Sequence, residues 1–136
     1  MNKQFIASII LMFLGGIPGT HKLLGKYPPN WFHQMFKGSP LDFFPNSITF
    51  SFLIIVFLEL LGASLFFLAL LNKEYKTQKL TYTNIGFMVY LILFTCLFFG
   101  SFIIENYDNG FKDFIYFSSI IIIQKLIFNN KEAFNK

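Results

Sequence analysis

The sequence predicts an all-α integral membrane protein, with four transmembrane helices in an antiparallel bundle and a short interfacial helix in the loop between helices 1 and 2. Two observations carry that prediction. Of the 136 residues, 54% are hydrophobic and 21% aromatic while only 13% are charged, whereas a soluble domain carries roughly a quarter charged residues. The apolar residues also form long unbroken blocks instead of the alternating or 3.6-residue spacing of a half-buried surface element. No linker, low-complexity tract or internal repeat divides the chain, so a single domain over residues 1–136 is expected.

Crossing about 30 Å of hydrocarbon takes about 20 mostly apolar residues, and the segments 5–24, 47–71, 84–104 and 111–128 meet that length or come close to it. The first, containing FIASIILMFLGGIPG, resembles a secretory signal peptide, with Lys3 ahead of the apolar stretch and small residues after it. It is read as a retained helix kinked near Pro18, whose ring removes a backbone donor. Ser8, Gly15, Gly19, Lys22 and Lys26 fall on one narrow stripe, and Gly15 to Gly19 is a GxxxG spacing that lets helices touch closely. Lys22 ends that stripe near the outer boundary, where a lysine either snorkels to water or reaches inward to a carboxylate. His21 points to another face, where a lone histidine is more commonly an interfacial hydrogen-bonder than a ligand.

The outer connection, residues 25–47, contains NWFHQMFKG between proline-containing borders. Trp31, Phe32, Met35 and Phe36 share one face of a short helix, an interfacial anchor in which Trp31 and the nearby Tyr27 suit the headgroup region. Two readings stand here, a re-entrant anchor and a lid over a ligand site. The next span holds FLELLGASLFF, and Glu59 within it lies about twelve residues, or roughly 18 Å, from the outer end of the helix, near the bilayer midplane. A carboxylate at that depth must face the protein interior. Gly62 and Ala63 follow it at i+3 and i+4 and permit another helix to come close. Ligand contact or proton handling is one reading of Glu59; a packing hydrogen bond is the other.

In the third span Cys96 sits at a depth like that of Glu59 and, with Gly100 at i+4, is expected to pack between helices. As the single cysteine it excludes an internal disulfide, a CxxC pair and a multi-cysteine metal site. The last span offers Asp113, Tyr116, Ile120 and Gln124 on one seam facing the interior; Asp113 also suits the helix dipole and a pairing with Lys22 or Lys112. Glu105 and Asp108 read as a solvated outer loop. His21 and His33 form no metal-ligand set, and no Ser/His/Asp, phosphate-loop or dinucleotide pattern occurs.

All eleven basic residues are lysines, spread over termini and loops, and without an arginine fork or a basic face they exclude nucleic acid as a partner. Their distribution sets topology instead. Lys3, Lys73, Lys76, Lys79, Lys125, Lys131 and Lys136 lie on the terminal side and Lys22, Lys26, Lys37 and Lys112 on the other, which places both termini in the cytoplasm. The richness in Phe, Ile, Asn and Lys fits an AT-rich coding genome and a bacterial source.

GGIPGTHKLLG in the first span, WFHQMFKGSP in the loop and LELLGASLFFLALLNKEY in the second span resemble the DoxX-like family of small four-helix bacterial membrane proteins. Lys22-Leu23 and Glu59-Leu60-Leu61-Gly62-Ala63 take the places of that family's Lys-Leu pair and Glu-Leu-Leu-Gly-Gly motif, with Ala63 where a second glycine is common. The resemblance covers about half the chain, and ENYDNGFKDF lacks the glycine-rich aromatic signature many members carry before the last helix. It implies a multi-pass protein of the bacterial inner membrane, and several relatives serve membrane oxidoreductase systems, including thiosulfate:quinone oxidoreductase. The expectation is a non-catalytic accessory subunit without an intrinsic cofactor, binding a quinone or lipid between its helices through Glu59, Lys22, His21, Tyr116 and Asp113. The alternative is a structural or assembly subunit, or a lipid-binding module. Its partners would be the bilayer and other membrane subunits or a second copy of itself.

Overall fold

In the computed structural model, which describes residues 3–25, 28–77 and 79–133 and side chains as far as residue 129, the chain is all-helical. Lys26, Tyr27, Lys136 and the side chain of Lys131 lie outside the described residues. The helices are α1 (Lys3–Leu24), α2 (Asn30–Phe36), α3 (Ser47–Leu71), α4 (Thr81–Ile103) and α5 (Tyr107–Ala133), with a turn of 3-10 helix at Pro40–Phe43. α1 runs through Pro18, and the Thr20 hydroxyl donates to the carbonyls of Gly16 and Ile17 around it.

Three helices, α1, α3 and α4, are long and apolar enough to cross a membrane, the mark of a membrane protein. The expected span 111–128 lies inside α5, which carries Lys112, Asp113, Gln124 and Lys125 and is not among those three. Phe13, Phe50, Phe57, Phe67, Met88 and Phe99 are exposed, an apolar outer surface of the kind that lipid covers.

α3 begins after Asn46, whose left-handed φ of 63° turns the chain out of the preceding loop. At its other end the chain turns through residues 72–80 into α4, whose first amides need acceptors that its own residues do not supply. Glu74 supplies them from within the turn. Its carboxylate is buried and accepts hydrogen bonds from the Tyr82 and Thr83 amides at 2.9 Å and from the Thr83 hydroxyl at 2.7 Å.

α1 packs along α3, α3 along α4 and α4 along α5, while α1 and α5 touch at few points. Contacts descend α3 as they climb α1, from Phe5 against Tyr75, in the turn beyond α3, to Gly16 facing Ala63 and Gly19 facing Leu60. The main core gathers Leu11, Phe66, Phe87, Tyr90 and Ile120, with Phe66 edge-on to Phe87 at 5.4 Å. A smaller core joins α2 to α3, where Phe32 and Phe36 are buried with Ile48, Phe52 and Val56. Trp31 and Met35 stay exposed on the other side of α2, so the four-residue face expected to anchor as a unit splits into a docking pair and an outer pair.

Cys96 corrects an expectation. It is exposed on α4 instead of packed: the buried residues of that helix, Thr83, Gly86, Phe87, Val89, Tyr90, Leu93 and Phe94, end before it. Gly100, its intended companion, faces Phe36 of α2.

Candidate functional site

Glycines shape the site before any polar group does. A Cβ on Gly62 would lie 2.9 Å from Tyr90 Cζ and closer still to Cε1, and one on Gly15 would meet the Glu59 carbonyl oxygen at 2.6 Å. Both positions therefore admit only glycine against their neighbours as they stand, and the Tyr90 ring fills the space so made. The Tyr90 hydroxyl donates to the Leu11 carbonyl at 2.6 Å, satisfying a polar atom inside the core. Gly19 serves the same end further along α1, where Leu60 and the Glu59 Cβ press against it.

Glu59 is 4% exposed. Lys22, at the end of α1, donates to its Oε1 at 2.5 Å, joining α1 to α3 through an ion pair. Burying a lone carboxylate in this setting is costly, and the ammonium offsets that cost by direct neutralisation. The second oxygen is another matter: Oε2 is buried with no hydrogen-bond partner among the described residues.

Beside this pair lies a cavity of about 330 Å³ between α1, α3, α4 and α5. Its walls are Leu14, Gly15 and Pro18 of α1, Glu59 of α3, Tyr90, Leu93, Phe94 and Leu97 of α4, and Asp113 and Tyr116 of α5. Phe94 and Tyr116 stack with centroids 5.4 Å apart and planes 27° from parallel. Ser101 donates to Asp113 Oδ2 at 3.0 Å, and of the two lysines considered from sequence Lys112 acts on Asp113 through its charge, without a close ion pair.

The structure thus brings together Lys22 of α1, Glu59 of α3, and Asp113 and Tyr116, which lie one turn apart on α5. His21 is exposed and does not line the cavity. Ala63 is buried and meets the glycine face of α1 at Gly16. Tyr90, the central wall residue, escaped the sequence reading. Its signal was the tyrosine itself, a hydroxyl in mid-helix that must find an acceptor. Among the described residues no cluster of His, Cys, Asp and Glu is arranged to hold a metal ion. No protein-family model matches the chain, and comparison with curated proteins and with solved structures finds no match.

Proposed function

We propose that the chain is a DoxX-like protein of the bacterial inner membrane in which α5 forms a fourth span, completing an antiparallel bundle with both termini cytoplasmic. Its role is that of an accessory subunit of a membrane redox system, holding a quinone between its helices. The observation that carries the reading is the orphaned Glu59 Oε2 beside an aromatic-walled cavity. A buried polar atom left unpaired costs about 1–3 kcal/mol, which a hydrogen-donating head, such as the hydroxyl of a quinone's reduced form, recovers. The cavity, at about 330 Å³, falls at the small end of the roughly 300–1,000 Å³ range of ligand sites.

The residues present fit a quinone head: aromatic walls at Phe94 and Tyr116, polar groups at Glu59, Asp113 and Tyr116, and leucines at the remaining faces. A bound quinone would supply electron and proton acceptance. The chain's own residues orient the ring, exclude water and hold hydrogen-bonding atoms against it. Partners are other membrane subunits or a second copy.

The test is mass spectrometry of lipid-soluble molecules co-purified with wild type and with Glu59→Gln, both checked for folding. A quinone retained by wild type and lost from the variant upholds the reading; absence from both folded proteins overturns it. The Lys22–Glu59 pair favours a second reading, a structural or assembly subunit, or lipid-binding module, in which the pair pins α1 to α3. That reading expects the variant to lose partner subunits or stability, with no quinone in either protein.

A further inference from the structure

The hydrogen-bonding atoms on the cavity wall are not evenly divided between donors and acceptors. Glu59 Oε2 presents lone pairs only. With Lys22 as the ammonium and Glu59 as the carboxylate of an ion pair, Oε2 carries no hydrogen to give. Tyr90 has already given its one hydroxyl hydrogen to the Leu11 carbonyl and can only accept. Asp113 receives the Ser101 hydroxyl on Oδ2. Tyr116 carries the one hydroxyl of the described wall whose hydrogen no hydrogen bond within the described residues takes up. The wall is rich in acceptors and poor in donors.

We infer, building on the quinone-site reading above, that the cavity selects ligands whose aromatic ring carries a hydrogen-donating hydroxyl, the quinol and phenol class, over counterparts whose polar end only accepts or is anionic. A ring hydroxyl satisfies the orphaned Oε2. A ring carbonyl opposite the same oxygen leaves two acceptors facing each other, with Tyr116 alone able to serve it. An anionic head meets two carboxyl groups, while the Lys22 ammonium is engaged on Oε1 of Glu59. The stacked Phe94 and Tyr116 rings favour a flat head over an aliphatic one.

The experiment uses the full chain in detergent, kept anaerobic, with binding of four probes measured by equilibrium titration: decylubiquinol, decylubiquinone, 4-decylphenol and decanoate. Decylubiquinol binds about tenfold tighter than decylubiquinone, the scale of one well-made hydrogen bond against an unmade one. Decylphenol binds and decanoate does not. Glu59→Gln, whose amide can donate to a carbonyl, narrows the gap between the two ubiquinone forms. Tyr116→Phe, at a half-exposed position where folding tolerates the change, weakens decylubiquinone more than decylubiquinol.

Equal affinities for the two forms, or tighter decylubiquinone, overturn the donor rule while the quinone site stands. Binding of decylphenol with neither ubiquinone form upholds the donor rule and overturns the quinone reading. Binding of decanoate as tight as that of decylphenol overturns the donor rule, and binding of none of the four overturns both.

Discussion

Replacing Gly62 with alanine sets two effects against each other. In a helix interior the exchange ordinarily gains about 1 kcal/mol. Here the new methyl would sit 2.9 Å from Tyr90 Cζ and nearer still to Cε1. The ring cannot step aside cheaply, since Tyr90 is fully buried, lies 5.4 Å from Phe66 and is tied by its hydroxyl to the Leu11 carbonyl at 2.6 Å. Overpacking of a filled core costs about 1–3 kcal/mol, and swinging the ring away forfeits a hydrogen bond worth about 0.5–1.5 kcal/mol. The expected net effect is a loss of about 2 kcal/mol. Unfolding in mixed detergent micelles with rising dodecyl sulfate, followed by far-ultraviolet circular dichroism, measures it. Gly16→Ala is the internal control, because a Cβ there meets the Ala63 methyl at an ordinary 3.6 Å and should leave stability unchanged or slightly raised. Adding Tyr90→Leu to Gly62→Ala should recover part of the loss. A Gly62→Ala protein as stable as the Gly16→Ala control would refute the close-packing argument.

Lys22→Met leaves the Glu59 carboxylate buried and unpaired and should destabilise the fold by about 3 kcal/mol, most of it recovered when Glu59→Leu is added; a single variant with wild-type thermal stability would dissolve the pair. Glu74→Ala removes the acceptor for the first amides of α4 and should cost about 1–2 kcal/mol, with faster amide exchange at Tyr82 and Thr83 as the local readout. Unchanged exchange there would show that the cap is dispensable. Cys96, exposed on the apolar surface of α4, should resist charged thiol reagents in intact membranes and react once the protein is unfolded in dodecyl sulfate. Rapid labelling in intact membranes would place that face of α4 in water.

The sequence reading and the structure agree most closely where hydrophobic length alone decides. The expected segment 47–71 coincides with α3, and the segments 5–24 and 84–104 match α1 and α4 to within three residues at either end. Depth was legible for the same reason: a carboxylate in the middle of α3 had to turn inward, and Glu59 does. Facing was not. α3 and α4 are apolar on all sides, so no polar stripe marks which way a residue such as Cys96 points, and equal depth was mistaken for equal burial. Tyr90 was hidden by the same uniformity, and its place became visible only through the glycines at positions 15 and 62 that make room for it. Glu74 has no marker in the sequence, because capping depends on a turn whose shape the residue types do not specify. The pairing of Lys22 with Glu59, left open in sequence as one of two uses for that lysine, required the register of α1 on α3.

The order of helix packing has a consequence for how the molecule is made. Each long helix leans chiefly on the one before it, α3 on α1, α4 on α3 and α5 on α4, so most contacts form as the chain is synthesised, without waiting for distant segments. The cavity is the exception. Two of its wall residues, Asp113 and Tyr116, arrive with the last helix, after Glu59 and Tyr90 are already in place. A chain stopped short of α5 would lose Ile120 from its core and one side of its pocket together, which makes the pocket a record of finished synthesis.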